Sequence, residues 1–136
     1  MLRSLLLLLC SGMLAACSHR TIFDRGTVRQ LPVQEYVHRL EADSHRYIID
    51  VRTSVEYSIG HLDSAINISY VAGRFKKKIA QLDTTRTVYL YCQTAHRSPY
   101  ATKRLKEAGF TRIYDLKKGY RKYQQYQRKE RKKAAQ

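Results

Sequence analysis

The fold is decided by residues 87–99, which read TVYLYCQTAHRSP. The first five, Thr87 to Tyr91, are mostly β-branched or aromatic and predict a buried strand. Ser98 followed by Pro99 is typical of a helix start, with Ser98 expected as the N-cap. A strand that passes through a short polar loop into a helix is a repeating unit of parallel α/β sheets.

The rest of the chain also alternates between predicted strands and predicted helices. Short apolar runs predict further strands over residues 27–31, 47–51, 65–68 and 112–115. Apolar spacings of three and four predict helices after Pro32, over 71–82, over 98–108 and from Gly119 onward, and Ser54 is expected to cap a short helix that ends at Gly60. The sequence therefore predicts an α/β fold with a parallel central sheet of about five strands and helices on both faces.

Composition restricts the possible functions. The chain has 136 residues, enough for one domain, and its 26 Lys and Arg against 11 Asp and Glu leave a net charge of +15. Three cysteines do not make a disulfide framework. The positive field favours small anionic ligands. The N-terminal residues, described next, predict a secreted lipoprotein, and for such a protein we expect no nucleic-acid partner.

The N-terminal residues read as a targeting segment. Arg3, the leucine run 5–9 and the small residues before Cys17 predict a lipoprotein signal peptide over 1–16, with Cys17 lipidated and 17–26 as a tether. An ordinary signal peptide, with Cys17 incidental, is the alternative. The predicted location is the cell envelope, lipid-anchored and facing the periplasm, and Ser18 favours the outer membrane. In the mature chain Cys92 is then the only free thiol.

Cys92 lies where a strand is predicted to end and a helix to begin. Ligands of open α/β sheets bind at that edge, beyond the carboxyl ends of the strands. Backbone N–H groups, the helix dipole and Arg97 would all favour the thiolate form and bind an anion. A buried cysteine that only fills space is the alternative reading.

Three motifs in order resemble the rhodanese-like family. They are IDVR at 49–52 followed by EY at 56–57, GHLDSAINI at 60–68, and CQTAHRS at 92–98. The resemblance runs from about residue 27 to residue 126 and implies one rhodanese-like domain, predicted over 27–127, followed by a basic tail over 128–136.

The resemblance implies a sulfurtransferase that holds sulfane sulfur on Cys92 as a persulfide. It implies a small anionic donor such as thiosulfate, a thiol or cyanide-like acceptor, and no cofactor or metal. Arg97 would orient the donor anion, Asp50 and Arg52 would support the loop, and His61 would hold a turn. Binding of the donor is assigned to the loop residues Gln93, Thr94, Ala95, His96, Arg97 and Ser98, with His96 expected in solvent.

The sequence departs from the family pattern at several glycine positions. Ala95 and Ser64 each stand where glycine is usual, and Lys118-Gly119 keeps only one of a usual glycine pair. Tyr123 stands where tryptophan is common. These departures leave open a second function, a non-catalytic rhodanese-homology binding module in the envelope. A phosphatase is disfavoured, because Arg97 follows the cysteine by five positions rather than the six of the related phosphatases.

The basic tail has two interpretations. A solvated helix end is one, and contact with anionic lipid or lipopolysaccharide is the other. Tyr120, Tyr123 and Tyr126 recur every three residues and are expected to form the buried stripe of this last helix.

Overall fold

The computed structural model describes residues 27–136; the signal peptide, Cys17 and the tether predicted over 1–26 lie outside the described residues. Five parallel strands form one sheet in the order β1-β5-β4-β2-β3. The elements in chain order are β1 Val28–Leu31, α1 Val33–Ala42, β2 Arg46–Asp50, α2 Ser54–Ile59, β3 Ile66–Asn67, α3 Phe75–Ile79, β4 Thr87–Tyr91, α4 Ser98–Glu107, β5 Ile113–Leu116 and α5 Gly119–Ala134. The predicted α/β fold with a parallel sheet is confirmed.

Helices cover both faces of the sheet, and the alternation of side chains along β4 shows how. Val88 and Leu90 face a core shared with α3 and α4. Tyr89 and Tyr91 face a second core shared with α1 and α5. Every residue of β4 is buried, as expected of a central strand in a parallel sheet covered on both faces. Cys92, directly after β4, therefore sits at the centre of the sheet's carboxyl edge.

The helix predicted over residues 71–82 is wrong in its extent, because α3 covers only Phe75–Ile79. Gly73 has a φ of +69°, a left-handed conformation that an α-helix does not contain. Val71 is 61% exposed, and Tyr70 packs edge-on against Phe75 in its place. The apolar residues over 71–82 therefore belong to an irregular loop around Gly73 and to the short helix α3, not to one continuous helix.

Two predicted N-caps are each displaced by one residue. α2 is capped by Thr53, not Ser54, because the Thr53 hydroxyl accepts from the Glu56 N–H while the Glu56 carboxylate accepts from the Thr53 N–H. α4 begins at Ser98 itself, and its N-cap position is Arg97. The strand predicted over 65–68 is also shorter, since β3 pairs only through Ile66 and Asn67 at the edge of the sheet.

The α5 helix crosses the predicted boundary between domain and tail at residue 128 without a break. Its tyrosines do form the predicted stripe: Tyr120 is buried in the second core, and Tyr123 and Tyr126 pack against that core. Within residues 27–136, none of the helices is both long and apolar enough to cross a membrane.

Three positions at which the sequence lacks a usual glycine keep a left-handed backbone. Ser64, Ala95 and Lys118 have φ values of 61°, 67° and 67°. Such a conformation costs a non-glycine residue about 1–2 kcal/mol, which the fold tolerates at these sites. The retained glycine, Gly119, is required for a second reason, because a Cβ there would lie 2.7 Å from the backbone oxygen of Gln93.

Candidate functional site

Cys92 lies at the carboxyl edge of the sheet, between the strand β4 and the loop that leads to α4. The residue is only 1% exposed and packs in the core formed with α3 and α4. It is the only cysteine among the described residues, and it is unpaired. The structure therefore buries the thiol at the start of the loop that leads to α4.

The loop over residues 93–97 presents backbone N–H groups that have no partner in the described part of the chain. These amides precede α4, and Ala95 in the left-handed conformation reverses the backbone among them. Successive unpaired N–H groups in such a turn form a concave anion-binding site, which the positive end of a helix dipole strengthens. The loop thus has the donors that an anion beside Cys92 requires.

The backbone of α5 holds this loop from the other side. The Tyr120 N–H donates to the Cys92 carbonyl at 2.7 Å, and the Arg121 N–H donates to the Gln93 carbonyl at 3.2 Å. Both donors belong to the first turn of α5, whose N–H groups have no partner within the helix. Cys92 is consequently fixed on two sides: it continues directly from β4, and its carbonyl is bound by α5.

A buried ion pair braces the loop from β2. Asp50 and Arg52 have side chains that are 0% and 2% exposed, and the Arg52 Nη2 lies 2.7 Å from Asp50 Oδ2. Arg52 also donates from Nη1 to the side-chain oxygen of Gln93 at 3.0 Å and from Nη2 to the Gly60 carbonyl at 2.6 Å. Its guanidinium lies 4.0 Å from the centre of the Tyr120 ring. Arg52 therefore connects β2, the loop, the end of α2 and α5.

Arg97 is held by a carboxylate that the sequence reading did not include in the site. Its Nη1 and Nη2 donate to the two carboxylate oxygens of Glu56, each at 2.8 Å. The hydrogen bonds from Arg97 lower the pKa of Glu56 to about 2, against the opposing effect of burial. Glu56 also closes the capping box with Thr53, so α2 positions the carboxylate and the carboxylate positions Arg97. The T-x-x-E pattern at 53–56 is a sequence signal for the capping box but not for the contact with Arg97.

The remaining predicted site residues fall in different environments. Thr94 and His96 are exposed, with the Thr94 hydroxyl 3.0 Å from the His96 Nδ1, and His96 lies in solvent as expected. The Ser98 side chain is fully buried. Burial raises the pKa of the neighbouring Asp115 carboxyl to about 6, and hydrogen bonding from Gln30 and Ser98 opposes that rise. His61 stacks on Tyr57 at 3.8 Å and lies in the turn before β3.

With this geometry in place, comparison with known proteins identifies the family. The model of the rhodanese-like domain matches residues 32–126, most of the described chain. The chain belongs to the rhodanese-like domain family. The match includes Asp50, Arg52, Glu56 and the whole loop from Cys92 to Ser98.

Several curated proteins share this rhodanese-like domain. The chain is 40% identical over 76 residues to the uncharacterized protein YqhL of Bacillus subtilis, covering 56% of this chain and 59% of YqhL. It is 23% identical over 96 residues to the putative sulfur carrier protein YrkF of the same organism, covering 71% of this chain and 51% of YrkF. It is 39% identical over 72 residues to the probable adenylyltransferase/sulfurtransferase MoeZ of Mycobacterium tuberculosis, covering 53% of this chain and 18% of MoeZ. The chain thus spans about half the length of the first two relatives.

Solved structures share the fold. A rhodanese-related protein from Thermoplasma volcanium superposes with a TM-score of 0.61 at 23% identity, covering 72% of this chain and 92% of that one. An uncharacterized protein from Saccharomyces cerevisiae superposes with a TM-score of 0.63 at 20% identity, covering 74% and 93%. At these identities the likeness establishes the architecture alone.

The Glu56–Arg97 pair generates a pH-dependent prediction. The pKa of Glu56 is about 2 in the folded chain and 4.5 for an isolated glutamate, so the pair stabilises the fold above pH 4.5 and loses that contribution as the pH falls towards 2. Because the two side chains are 30% and 26% exposed, we expect Glu56→Gln to lower the free energy of unfolding by about 1–2 kcal/mol at pH 7. Urea unfolding at pH 7 and at acidic pH measures this difference, which should shrink at the lower pH.

Glu107→Gln is the matched control, because Glu107 pairs with Arg104 at the same 2.8 Å but is 45% exposed. Its effect at pH 7 is expected to stay below about 0.5 kcal/mol. Equal losses for the two variants would show that the Arg97 contact is an ordinary surface ion pair.

Proposed function

We propose that this protein is a sulfurtransferase that carries sulfane sulfur on Cys92. The donor is a small anion such as thiosulfate, and the acceptor is a thiol or a cyanide-like nucleophile. The observation that carries the proposal is the row of unpaired N–H groups over residues 93–97, which starts directly after the only thiol of the described chain. An anion bound by those groups lies where the thiolate can attack it.

The proposed reaction has two displacement steps. The Cys92 thiolate attacks the outer sulfur of thiosulfate, a new S–S bond forms, and the old S–S bond breaks so that sulfite leaves with its electron pair. The acceptor then attacks the terminal sulfur of the persulfide. With cyanide the products are thiocyanate and the free Cys92 thiolate, so no outside oxidant or reductant enters. The loop amides stabilise the anionic donor and then the anionic terminal sulfur.

Arg97 has donors left for the ligand after it has bound Glu56. A guanidinium has five N–H groups, and the two bonds to Glu56 occupy one on each terminal nitrogen. The remaining N–H groups are available to orient an anion, as the family resemblance implies. Glu56 fixes the plane of the guanidinium, so that this donor set is arranged before the ligand arrives.

The burial of Cys92 selects for small donors. Because the residue is only 1% exposed, the loop has to move before any donor reaches the sulfur, and a small anion such as thiosulfate requires the smallest movement. The names of two relatives, a putative sulfur carrier and a probable adenylyltransferase/sulfurtransferase, support sulfur chemistry for the shared domain.

The same burial favours a second candidate, a non-catalytic module that binds an anion or a partner. In that case Cys92 serves as a core residue, and the Glu56–Arg97 pair is purely structural. The two candidates differ in whether sulfur ever becomes covalently attached to the protein.

We also propose that the protein is lipid-anchored at Cys17 in the cell envelope, with its domain facing the periplasm. The support is the order of apolar and small residues ahead of Cys17 in the sequence. Wild-type protein is expected to incorporate labelled fatty acid and to fractionate with membranes, and Cys17→Ser is expected to lose the label. Unlabelled wild-type protein in a soluble periplasmic fraction would contradict the anchor.

Sulfur loading tests the enzyme. Incubation with thiosulfate is expected to add the mass of one sulfur atom to the intact protein, and cyanide should remove it with formation of thiocyanate. Cys92→Ser should gain nothing, since the loaded sulfur requires that thiolate. Arg97→Ala should load poorly from thiosulfate and still accept sulfur from a neutral polysulfane, because the arginine acts on the donor's charge.

Arg104→Ala is a suitable control for the arginine, since Arg104 lies on α4 in an exposed pair with Glu107. It should load like the wild type. If wild-type protein takes up no sulfur from any donor while it still binds thiosulfate, the enzyme is excluded and the binding module remains.

A further inference from the structure

The edge of the sheet opposite Cys92 carries a row of arginines. β2 begins at Arg46, Arg86 directly precedes β4, and Arg112 directly precedes β5. Because all the strands are parallel, these three residues share the amino edge of the sheet, while Cys92 lies at the carboxyl edge. The two edges are separated by the length of the strands.

These arginines are held in place by backbone oxygens. Arg86 Nη2 donates to the Arg46 carbonyl at 2.6 Å, Arg112 Nη2 donates to the Thr85 carbonyl at 2.7 Å, and Arg46 donates to the carbonyl of Asp43. None of the three forms an ion pair with a carboxylate within residues 27–136. Their positive charges are therefore fixed in position without direct neutralisation.

Three acids lie beside this edge, Glu41, Asp43 and Asp83, and two of them are engaged in turns. The Asp43 carboxylate accepts from the His45 N–H at 2.9 Å, and the Asp83 carboxylate accepts from the Thr85 N–H at 2.9 Å. Together the three acids match the three arginines in number, so the net positive charge at this edge comes from the basic residues of α5.

The α5 helix brings its most basic part to the same edge. It starts against the Cys92 carbonyl at the carboxyl edge, and Gln127 lines a cavity together with Glu41 and Arg46 at the amino edge. Residues 128–134 continue the helix from that level. Between 128 and 133 the basic side chains Arg128, Lys129, Arg131, Lys132 and Lys133 are all exposed, against the single acid Glu130.

The N-terminal segment of the chain enters the domain at this edge as well. β1 is parallel to β5, so its first residue, Val28, lies at the amino edge. Residues 18–27 separate Cys17, the proposed lipid attachment site, from the start of β1. Ten residues span at most about 33 Å when fully extended, at roughly 3.3 Å per residue. The proposed anchor at Cys17 therefore keeps the amino edge close to the bilayer.

We propose that the basic pole, defined as Arg46, Arg86, Arg112 and the α5 residues 128–133, docks on the surface of an anionic lipid bilayer. Docking by this pole turns Cys92 and its loop away from the membrane. The basic pole thereby orients the domain and adds to its retention at the membrane. The inference rests on the proposed membrane anchor and does not depend on the sulfur chemistry.

A bilayer fits the basic pole better than a nucleic acid does. Single-stranded nucleic acid is bound by basic grooves in which exposed aromatic side chains stack on bases. Here the tyrosines of α5 pack against the second core, and Tyr47 lies 4.1 Å below the Arg86 guanidinium. The pole thus offers charge with its aromatic rings already covered, which suits a surface of phosphate headgroups.

The test compares binding of full-chain protein to vesicles of phosphatidylcholine alone and of phosphatidylcholine mixed with phosphatidylglycerol. The variant Arg128→Glu/Lys129→Glu/Lys132→Glu changes exposed residues of the pole. The variant Lys76→Glu/Lys77→Glu/Lys78→Glu makes the same charge change on exposed residues of α3, outside the pole. Circular dichroism and urea midpoints equal to wild type establish that both variants are folded.

We expect phosphatidylglycerol to strengthen binding beyond what the lipid anchor alone gives, and added salt to weaken that gain, because counterions screen the contact. The pole variant should lose at least tenfold of the phosphatidylglycerol-dependent affinity, and the α3 variant much less. Amine acetylation followed by mass spectrometry should show Lys129, Lys132 and Lys133 protected by these vesicles while Lys76, Lys77 and Lys78 stay reactive.

Equal losses for the two variants, or equal protection of both lysine sets, would overturn the proposal, because binding would then follow net charge without an orientation. Binding that is indifferent to phosphatidylglycerol would overturn it as well. Protection of the pole lysines by RNA but not by anionic vesicles would assign the pole to nucleic acid instead.

Discussion

The two hydrogen bonds from the start of α5 to the carbonyls of Cys92 and Gln93 are the constraint on which the site depends. In a trans peptide, the C=O of one residue and the N–H of the next point in opposite directions. When α5 fixes the Cys92 carbonyl, it also directs the Gln93 N–H away from α5, and the Gln93 carbonyl does the same for the Thr94 N–H. This requires α5 to approach so closely that only glycine fits at residue 119.

Two ion pairs complete the support of the loop that follows Cys92. Burying these charges costs hydration energy, which their hydrogen bonds offset. An ion pair as buried as Asp50–Arg52 gives up its hydration, so it stabilises a fold only when its remaining donors and acceptors are satisfied. Arg52 meets that condition through Gln93 and Gly60. Glu56 and Arg97 repeat the arrangement nearer to solvent. The loop is thus clamped by β2, α2 and α5, which fixes the N–H groups of the candidate anion site before any ligand binds.

Local sequence patterns predicted the fold wherever local preference and tertiary packing agree. Residues 87–91 combine strand propensity with full burial, and the strand they predicted is β4. The prediction over 71–82 was wrong because apolar spacing does not register the left-handed turn at Gly73. The partnership of Glu56 with Arg97 joins residues 41 positions apart, and no short pattern encodes it. The retention of glycine at 119, with Lys118 beside it, is explained by its left-handed backbone together with the close approach to the backbone of Cys92 and Gln93 that the fold creates.

The central claim, that the amides of residues 93–97 bind a sulfur-donor anion beside Cys92, is tested most directly by amide NMR. The Cys92→Ser variant, labelled with nitrogen-15, prevents sulfur transfer while thiosulfate is titrated at moderate salt. The account predicts that the largest saturable shifts fall on the N–H groups of residues 93–97. Shifts confined to the basic side of α5, with those loop amides unmoved, would contradict it.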